Sequence, residues 1–295
     1  MRYAETVMSE ATRHDFNHLP AGAAGLGHVF ARPKFVAVAC VVVLALLGWV
    51  YLAVLLAGIG GSFGGYAAGM VQALCRPLPD GAWTASAIAV IASMWVAMTL
   101  AMMLPSAAPM IMTYAGIADT AAHKGERIVS PFVLAAGYTV VWLGFAVIAT
   151  TMQIMMTRAA LLDAGMASAS GLFSGAIFIA AGIYQFSALK HACLKRCRHP
   201  FPFFFANWAT TASGVFRLGM KQGLYCLGCC WAMMLVMFAV GVMNVIWMVG
   251  IGIVMAAEKM MTGRRFTYAV GTALVIAGVA TVVMAMASHW PVRSS

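Results

Sequence analysis

Three of the chain's seven cysteines fall within five residues, in Tyr225-Cys226-Leu227-Gly228-Cys229-Cys230-Trp231. Two more, Cys193 and Cys197, stand upstream in Lys190-His191-Ala192-Cys193-Leu194-Lys195-Arg196-Cys197-Arg198-His199-Pro200. Thiolates are soft metal ligands and redox centres, so five of them around one loop point to one of those two chemistries. On a helix, Cys226, Cys229 and Cys230 share an arc because positions i, i+3 and i+4 lie on one face. Cys193 and Cys197 share a face in the same way, on an expected extension of the preceding helix that Pro200 and Pro202 would end. The spacing resembles a four-thiolate arrangement with Cys230 as an additional thiol and His191 or His199 as nitrogen reserves. Cys40 and Cys75 stand alone and read as small buried hydrophobes.

Methionine, at 24 residues, extends the sulfur chemistry. Met94, Met98 and Met102 recur every four residues. Met234 and Met237 continue the stripe that begins at Cys226. Thioether stripes leading from a thiol cluster would suit Cu(I), which prefers soft sulfur, although methionine at helical spacing is also ordinary core packing. Copper is therefore the first expectation for the ion and zinc the second.

The elements that position these residues are legible from composition. The chain is 63% hydrophobic and 9% charged, with a mean hydropathy of +0.91. Such a chain suits lipid, where a spanning helix needs about 20 apolar residues. The expected fold is an all-α polytopic transmembrane bundle over residues 35–288, preceded by a cytoplasmic segment 1–34 and followed by a tail 289–295. Six spans read off the sequence, at about Phe35–Gly58, Ala85–Leu104 (running on toward Tyr114), Pro131–Met155, Gly171–Leu189, Leu224–Ala257 and Phe266–Ser288. The fifth is long for one crossing, so it tilts, protrudes or breaks near Gly241. Pro105 and Pro109 should kink the second, with Ser106 placed to serve a freed carbonyl. Gly137, Gly144, Gly175, Gly182 and Gly241 permit close helix approach.

The net charge of +10 sits mainly at segment ends. With six spans and the N-terminus inside, Arg2, Arg13, Arg32, Lys34, Lys124, Arg127, Arg293 and the cations from Lys190 to Lys221 are cytoplasmic. Arg76, Arg158, Lys259, Arg264 and Arg265 remain outside. That asymmetry places both termini and the basic, cysteine-bearing loop 190–223 in the cytoplasm. The loop suits anionic lipid headgroups, and no compact soluble module exists to carry nucleic acid. In a reducing compartment, a metal site or catalytic dithiol is favoured over a structural disulfide. No acidic residue sits in mid-span, and no Walker loop, nucleophile elbow or His-Glu-x-x-His occurs, which argues against energy-driven pumping and common hydrolytic chemistry.

Several of these motifs together resemble a bacterial family. They are Met94-Trp95-x-x-Met98-x-x-Ala101-Met102-Met103-x-Pro105-x-x-x-Pro109, Cys193-x-x-x-Cys197-Arg198-x-Pro200, and Gly219-x-x-x-Gly223-x-x-Cys226-x-Gly228-Cys229-Cys230-Trp231-x-x-Met234. Gly241-x-Met243-Asn244 and Glu258-Lys259 complete the set. Over residues 85–275 the chain is similar to the predicted metal-binding integral membrane proteins of domain of unknown function 2182. The resemblance implies a helical membrane fold and metal binding, with no assigned reaction.

The expectation is thus an inner-membrane metal-binding protein that stores, senses or delivers copper or zinc to a partner metalloprotein or membrane subunit. Cys226, Cys229 and Cys230 would be ligands, completed by Cys193 and Cys197. Two alternatives stand beside it. One is a thiol–disulfide oxidoreductase using Cys226 and Cys229; the other is a passive channel or membrane scaffold.

Overall fold

In the computed structural model the described residues are 33–59, 85–125, 128–159, 161–162, 168, 170–242, 244–261 and 263–288. They are helical, as expected, with no strand among them. In chain order the helices are α1 (Pro33–Ile59), α2 (Ala85–His123), α3 (Pro131–Arg158), α4 (Gly171–Gln185) and α5 (Ala188–Arg198). They continue as α6 (Pro200–Ala206), α7 (Ala212–Val240), α8 (Val245–Met260) and α9 (Arg265–Ser288). Four of them, α2, α3, α7 and α9, are long and apolar enough to cross a membrane, and α4 with α5 makes a fifth if the bent pair counts as one span. Cys75 lies outside the described residues, as does the side chain of Cys40.

The helices start where side chains can satisfy their first free amides. Ser187 opens α5 by accepting from the Lys190 amide at 3.1 Å, and Thr211 opens α7 by accepting from Gly214 at 3.2 Å. Asn244 opens α8 in the same way, toward Trp247 at 3.3 Å. Each such cap contributes about 1 kcal/mol. Pro200 ends α5 as expected, and it begins the short aromatic helix α6. Phe204 and Trp208 then pack on Tyr114, which ties this connection to the end of α2.

One sequence expectation changes, and another is narrowed to the break near Gly241. The fourth span does not run straight to Leu189. It stops at Gln185, and α5 leaves at a bend of 64°. The long fifth segment breaks at Gly241, whose φ of +100° is a left-handed conformation that side-chain-bearing residues disfavour. The chain reverses there, so α7 and α8 form a hairpin instead of one crossing. Gly252 stands against Met102, while Lys259 reaches Ser106, so α8 runs back alongside α2 toward α5. Arg198 of α5 donates to the carbonyl oxygens of Glu258 (2.8 Å) and Gly263 (3.0 Å). The segment with Lys259, Arg264 and Arg265 therefore lies at the end of the bundle occupied by α5, not at the opposite one.

The core is built by close helix approach. At the α3–α7 crossing a Cβ on Gly137 would stand 2.2 Å from the Phe216 carbonyl oxygen, and one on Gly219 would stand 2.1 Å from that of Leu134. Only glycine permits this approach, which sets the distance between the two helices around the cysteines. Gly144 is different: a Cβ there would meet nothing within 4 Å. Despite Pro105 and Pro109, α2 is continuous over 39 residues. Ser106 does bond a carbonyl, but it is that of Met103 at 2.8 Å, not one freed by either proline.

Candidate metal centre

Cys226, Cys229 and Cys230 lie at the middle of α7 and face inward together, as the i, i+3, i+4 spacing requires. Their three Sγ atoms all fall within 4.8 Å of one another, and all three residues are buried. Cys229 and Cys230 are 3.4 Å apart at sulfur, and Cys229 also donates to the Cys226 carbonyl at 3.1 Å. The five cysteines of this region with described side chains are free thiols.

Other elements complete the walls. From α3, the Tyr138 hydroxyl stands 3.0 Å from Cys226 Sγ and donates to the Met103 carbonyl of α2 at 3.1 Å. From α8, Lys259 Nζ donates to Cys226 Sγ at 3.1 Å and to Ser106 Oγ at 2.7 Å. From α5, Cys197 Sγ lies 3.9 Å from Cys229 Sγ, and Cys197 itself is half-buried. Three helices besides α7 thus reach one set of sulfurs, and α2 holds the tyrosine and the lysine that do so.

Cys193 is placed differently. Its Sγ rests on Gly228, where an added Cβ would come within 2.7 Å of it, and it is not among the three clustered sulfurs. The two cysteines of α5 are one turn apart, yet only Cys197 is carried to the cluster. His191 sets the edge of its ring against Tyr268 and likewise stands outside it.

The methionines divide. Met94, Met98, Met234 and Met237 are fully buried in the apolar core. Trp95, beside Met94, packs between Phe145 and Phe238 and donates to Gln153 at 2.7 Å, so this level of the bundle is packed by large side chains. Met233, next to Met234, accepts a hydrogen bond from Gln185 Nε2 at 3.0 Å. Met102 alone among the expected thioethers lines a cavity, of about 570 Å³, which is also lined by Cys197 and Lys259.

Beneath the thiols, α5 and α8 are joined by a buried ion pair. Lys190 Nζ meets Glu258 Oε2 at 2.7 Å, with the two side chains 1% and 2% exposed. This pair fixes the level at which α8 stops, and hence the position of the adjoining Lys259. Sequence reading quoted Lys190, Glu258 and Lys259 within motifs without giving them a role, and it did not single out Tyr138. The available signal was a carboxylate and an ammonium at the end of the apolar run Val245–Ala257, where ionisable groups in such helices mark sites by default.

Such a donor set is one that a soft cation would take: three sulfurs converge on one point with an ammonium beside them to balance thiolate charge. A family model described as a copper chaperone, PpoB2, matches residues 92–281. The chain belongs to this copper chaperone family. The matched stretch begins in α2, ends in α9 and includes every cysteine, tyrosine and lysine of the centre. Neither a curated protein nor a solved structure matches the chain. Family membership and the cysteine cluster agree on metal handling, with copper as the metal they favour.

Proposed function

We propose that this is an integral membrane copper-handling protein that holds Cu(I) on Cys226, Cys229 and Cys230 and passes it to a partner metalloprotein or membrane subunit. The observation that carries the reading is the convergence of three buried Sγ atoms within 4.8 Å, with Lys259 Nζ 3.1 Å from one of them. Cu(I) is soft and is satisfied by two or three sulfurs, whereas a structural zinc site takes four ligands in a tetrahedron. Copper is therefore preferred to zinc. When bound, three thiolates and one Cu(I) leave net negative charge in a low-dielectric interior, which the ammonium of Lys259 offsets.

The bundle is read as membrane-embedded, in the bacterial inner membrane, in keeping with the resemblance to integral membrane proteins. The α7–α8 hairpin sharpens its orientation. With Lys259, Arg264 and Arg265 at the α5 end, Arg158 is the one Lys or Arg that chain order leaves toward the other end among the described residues. This asymmetry favours a cytoplasmic α5 end. The first helix then starts on the cytoplasmic side and α9 ends on the opposite one, in place of two cytoplasmic termini. A cavity of about 440 Å³ at the basic end, lined by Lys195, Arg198, His199 and Arg264, suits an anionic lipid headgroup.

The test is elemental analysis of protein purified anaerobically in detergent without chelator. We expect copper bound in the wild type and in Cys193→Ser, and lost in Cys226→Ser/Cys230→Ser. Undiminished copper in the double variant would refute the reading. Metal-free protein that yields a redox-active Cys226/Cys229 pair on thiol trapping would favour the dithiol enzyme instead.

A further inference from the structure

The cluster is withdrawn from the surface: Cys226, Cys229 and Cys230 are all buried, and none of them lines any of four cavities of about 370–610 Å³ in the described bundle. A cavity of about 570 Å³ between α1, α2, α5 and α8 is lined by Cys197 and Lys259, both of which touch the cluster. Its walls carry the thioethers Met102, Met110 and Met260, together with Ser106 and Lys259, and the one cysteine among them is Cys197. Met260 is 81% exposed, Met110 and Met102 are 7% and 6% exposed, and Cys197 is 3.9 Å from Cys229 at sulfur. Sulfur thus continues from the protein exterior, through the cavity, to the cluster, with Cys197 at the junction.

We propose that Cys197 is the exchange ligand through which Cu(I) passes between the buried cluster and this methionine-lined cavity. The inference rests on the function proposed above and assigns the route that such a function needs. Soft ions move between sulfur sites by ligand substitution, in which a new metal–sulfur bond forms before or as the old one breaks. For exit, the Cys197 sulfur bonds copper as the Cys229 sulfur lets go. The proton leaves the Cys197 thiol and is taken up by the released Cys229 sulfur, copper remains Cu(I), and no electron moves. Met102 and Met110 then offer neutral thioethers; as copper moves onto them its remaining bonds to Cys226, Cys230 and Cys197 break, and each freed thiolate takes a proton from solvent, reversing the proton loss of loading. The weaker donation of the thioethers favours passage over retention. Ser106 and Lys259, hydrogen-bonded to each other at 2.7 Å, stand on the same wall. The half-buried position of Cys197 on α5, a helix set at 64° to α4, gives it access to both sides where the three α7 cysteines have one.

The route is tested by loading wild-type protein with Cu(I) anaerobically and mixing it with bathocuproine disulfonate, a bulky sulfonated chelator that reports captured Cu(I) by absorbance. Cys197→Ser is expected to hold copper through dialysis like the wild type but to release it more slowly, by on the order of ten- to a hundredfold. Ala256→Phe, which narrows the cavity and removes no sulfur, should slow release as well. Release from Cys197→Ser at the wild-type rate would overturn the proposal. So would loss of copper from that variant during dialysis, since Cys197 would then be a holding ligand. Wild-type protein that takes up no Cu(I) would remove the function on which the route rests, a failure visible before any chelator is added.

Discussion

Replacing Lys190 with Met tests whether the α5–α8 ion pair holds the centre together. Lys190 and Glu258 meet at 2.7 Å with both side chains essentially removed from solvent. At an effective dielectric of ~20 their gross attraction is about 6 kcal/mol, most of it offset by desolvation of the two charges. Removing one partner does not simply forfeit that small net: it strands the other charge. Glu258 Oε1 already has no hydrogen-bond partner, so in Lys190→Met neither carboxylate oxygen would have one from this pair. The expected loss is about 3–5 kcal/mol, the range for breaking buried pairs. For a chain of this size that corresponds to roughly 6–20 °C in the unfolding midpoint in detergent. Lys190→Met/Glu258→Met should recover most of the loss, because two apolar side chains of similar length fill the space without a stranded charge. Alkylation of Cys197 should accelerate in the single variant and not in the double one, since α5 is what the pair secures. A single-variant loss below about 1 kcal/mol would put the pair in the class of exposed salt bridges and refute this account.

The remaining predictions concern the walls of the centre. Gly219→Val would place its Cβ 2.1 Å from the Leu134 carbonyl oxygen, a backbone atom that cannot yield, so α3 must move and carry Tyr138 away from Cys226. We expect a loss of at least about 1–3 kcal/mol in thermal unfolding. Gly144→Ala, which meets nothing within 4 Å, should stay within about 0.5 kcal/mol of the wild type. Equal losses in the two would rule out the close-approach argument. Lys259→Met removes a charge-assisted hydrogen bond to Cys226 and should weaken Cu(I) affinity by roughly 10- to 100-fold, from about 1.5–3 kcal/mol. Competition titration against a chromogenic Cu(I) ligand measures this, and unchanged affinity would deny Lys259 its part as counter-cation.

What could be read from the sequence was set by short-range regularity. Apolar run length gave the helices, and the i, i+3, i+4 spacing on a helix correctly brings Cys226, Cys229 and Cys230 together, because both depend only on neighbours along the chain. Convergence of separate segments does not. Cys193 and Cys197 looked equivalent as a pair sharing a face, yet the packing of α5 on α7 sets Cys197 against Cys229 and Cys193 against Gly228. The methionine stripes were visible too, but periodicity cannot separate a thioether facing a cavity from one facing core. Met102 faces the cavity while Met94 and Met98, at the same spacing, are packed away from it.

The break near Gly241 was among the alternatives for the long fifth segment; the largest gap was the reversal it makes. An apolar run from Leu224 to Ala257 looks the same whether it crosses once or doubles back, since hydropathy carries no direction. As a straight helix it would put Lys259 about 50 Å from Cys226, at 1.5 Å per residue. The structure has them 3.1 Å apart. The local signals for a reversal were present in Gly241-x-x-Asn244: a glycine able to take positive φ where one helix ends, and an Asn able to cap the next. Their consequence was not local. A helix face can present three sulfurs to one side only, and the two cations of α7, Arg217 and Lys221, are exposed on its surface while the sulfurs are buried. The hairpin returns a cation from 33 positions later to that same face, and the Lys190–Glu258 pair stops α8 at the register where Lys259 reaches Cys226 instead of passing it. The metal chemistry of the centre is therefore written in the cysteine spacing, while its electrostatics is written in the turn at Gly241.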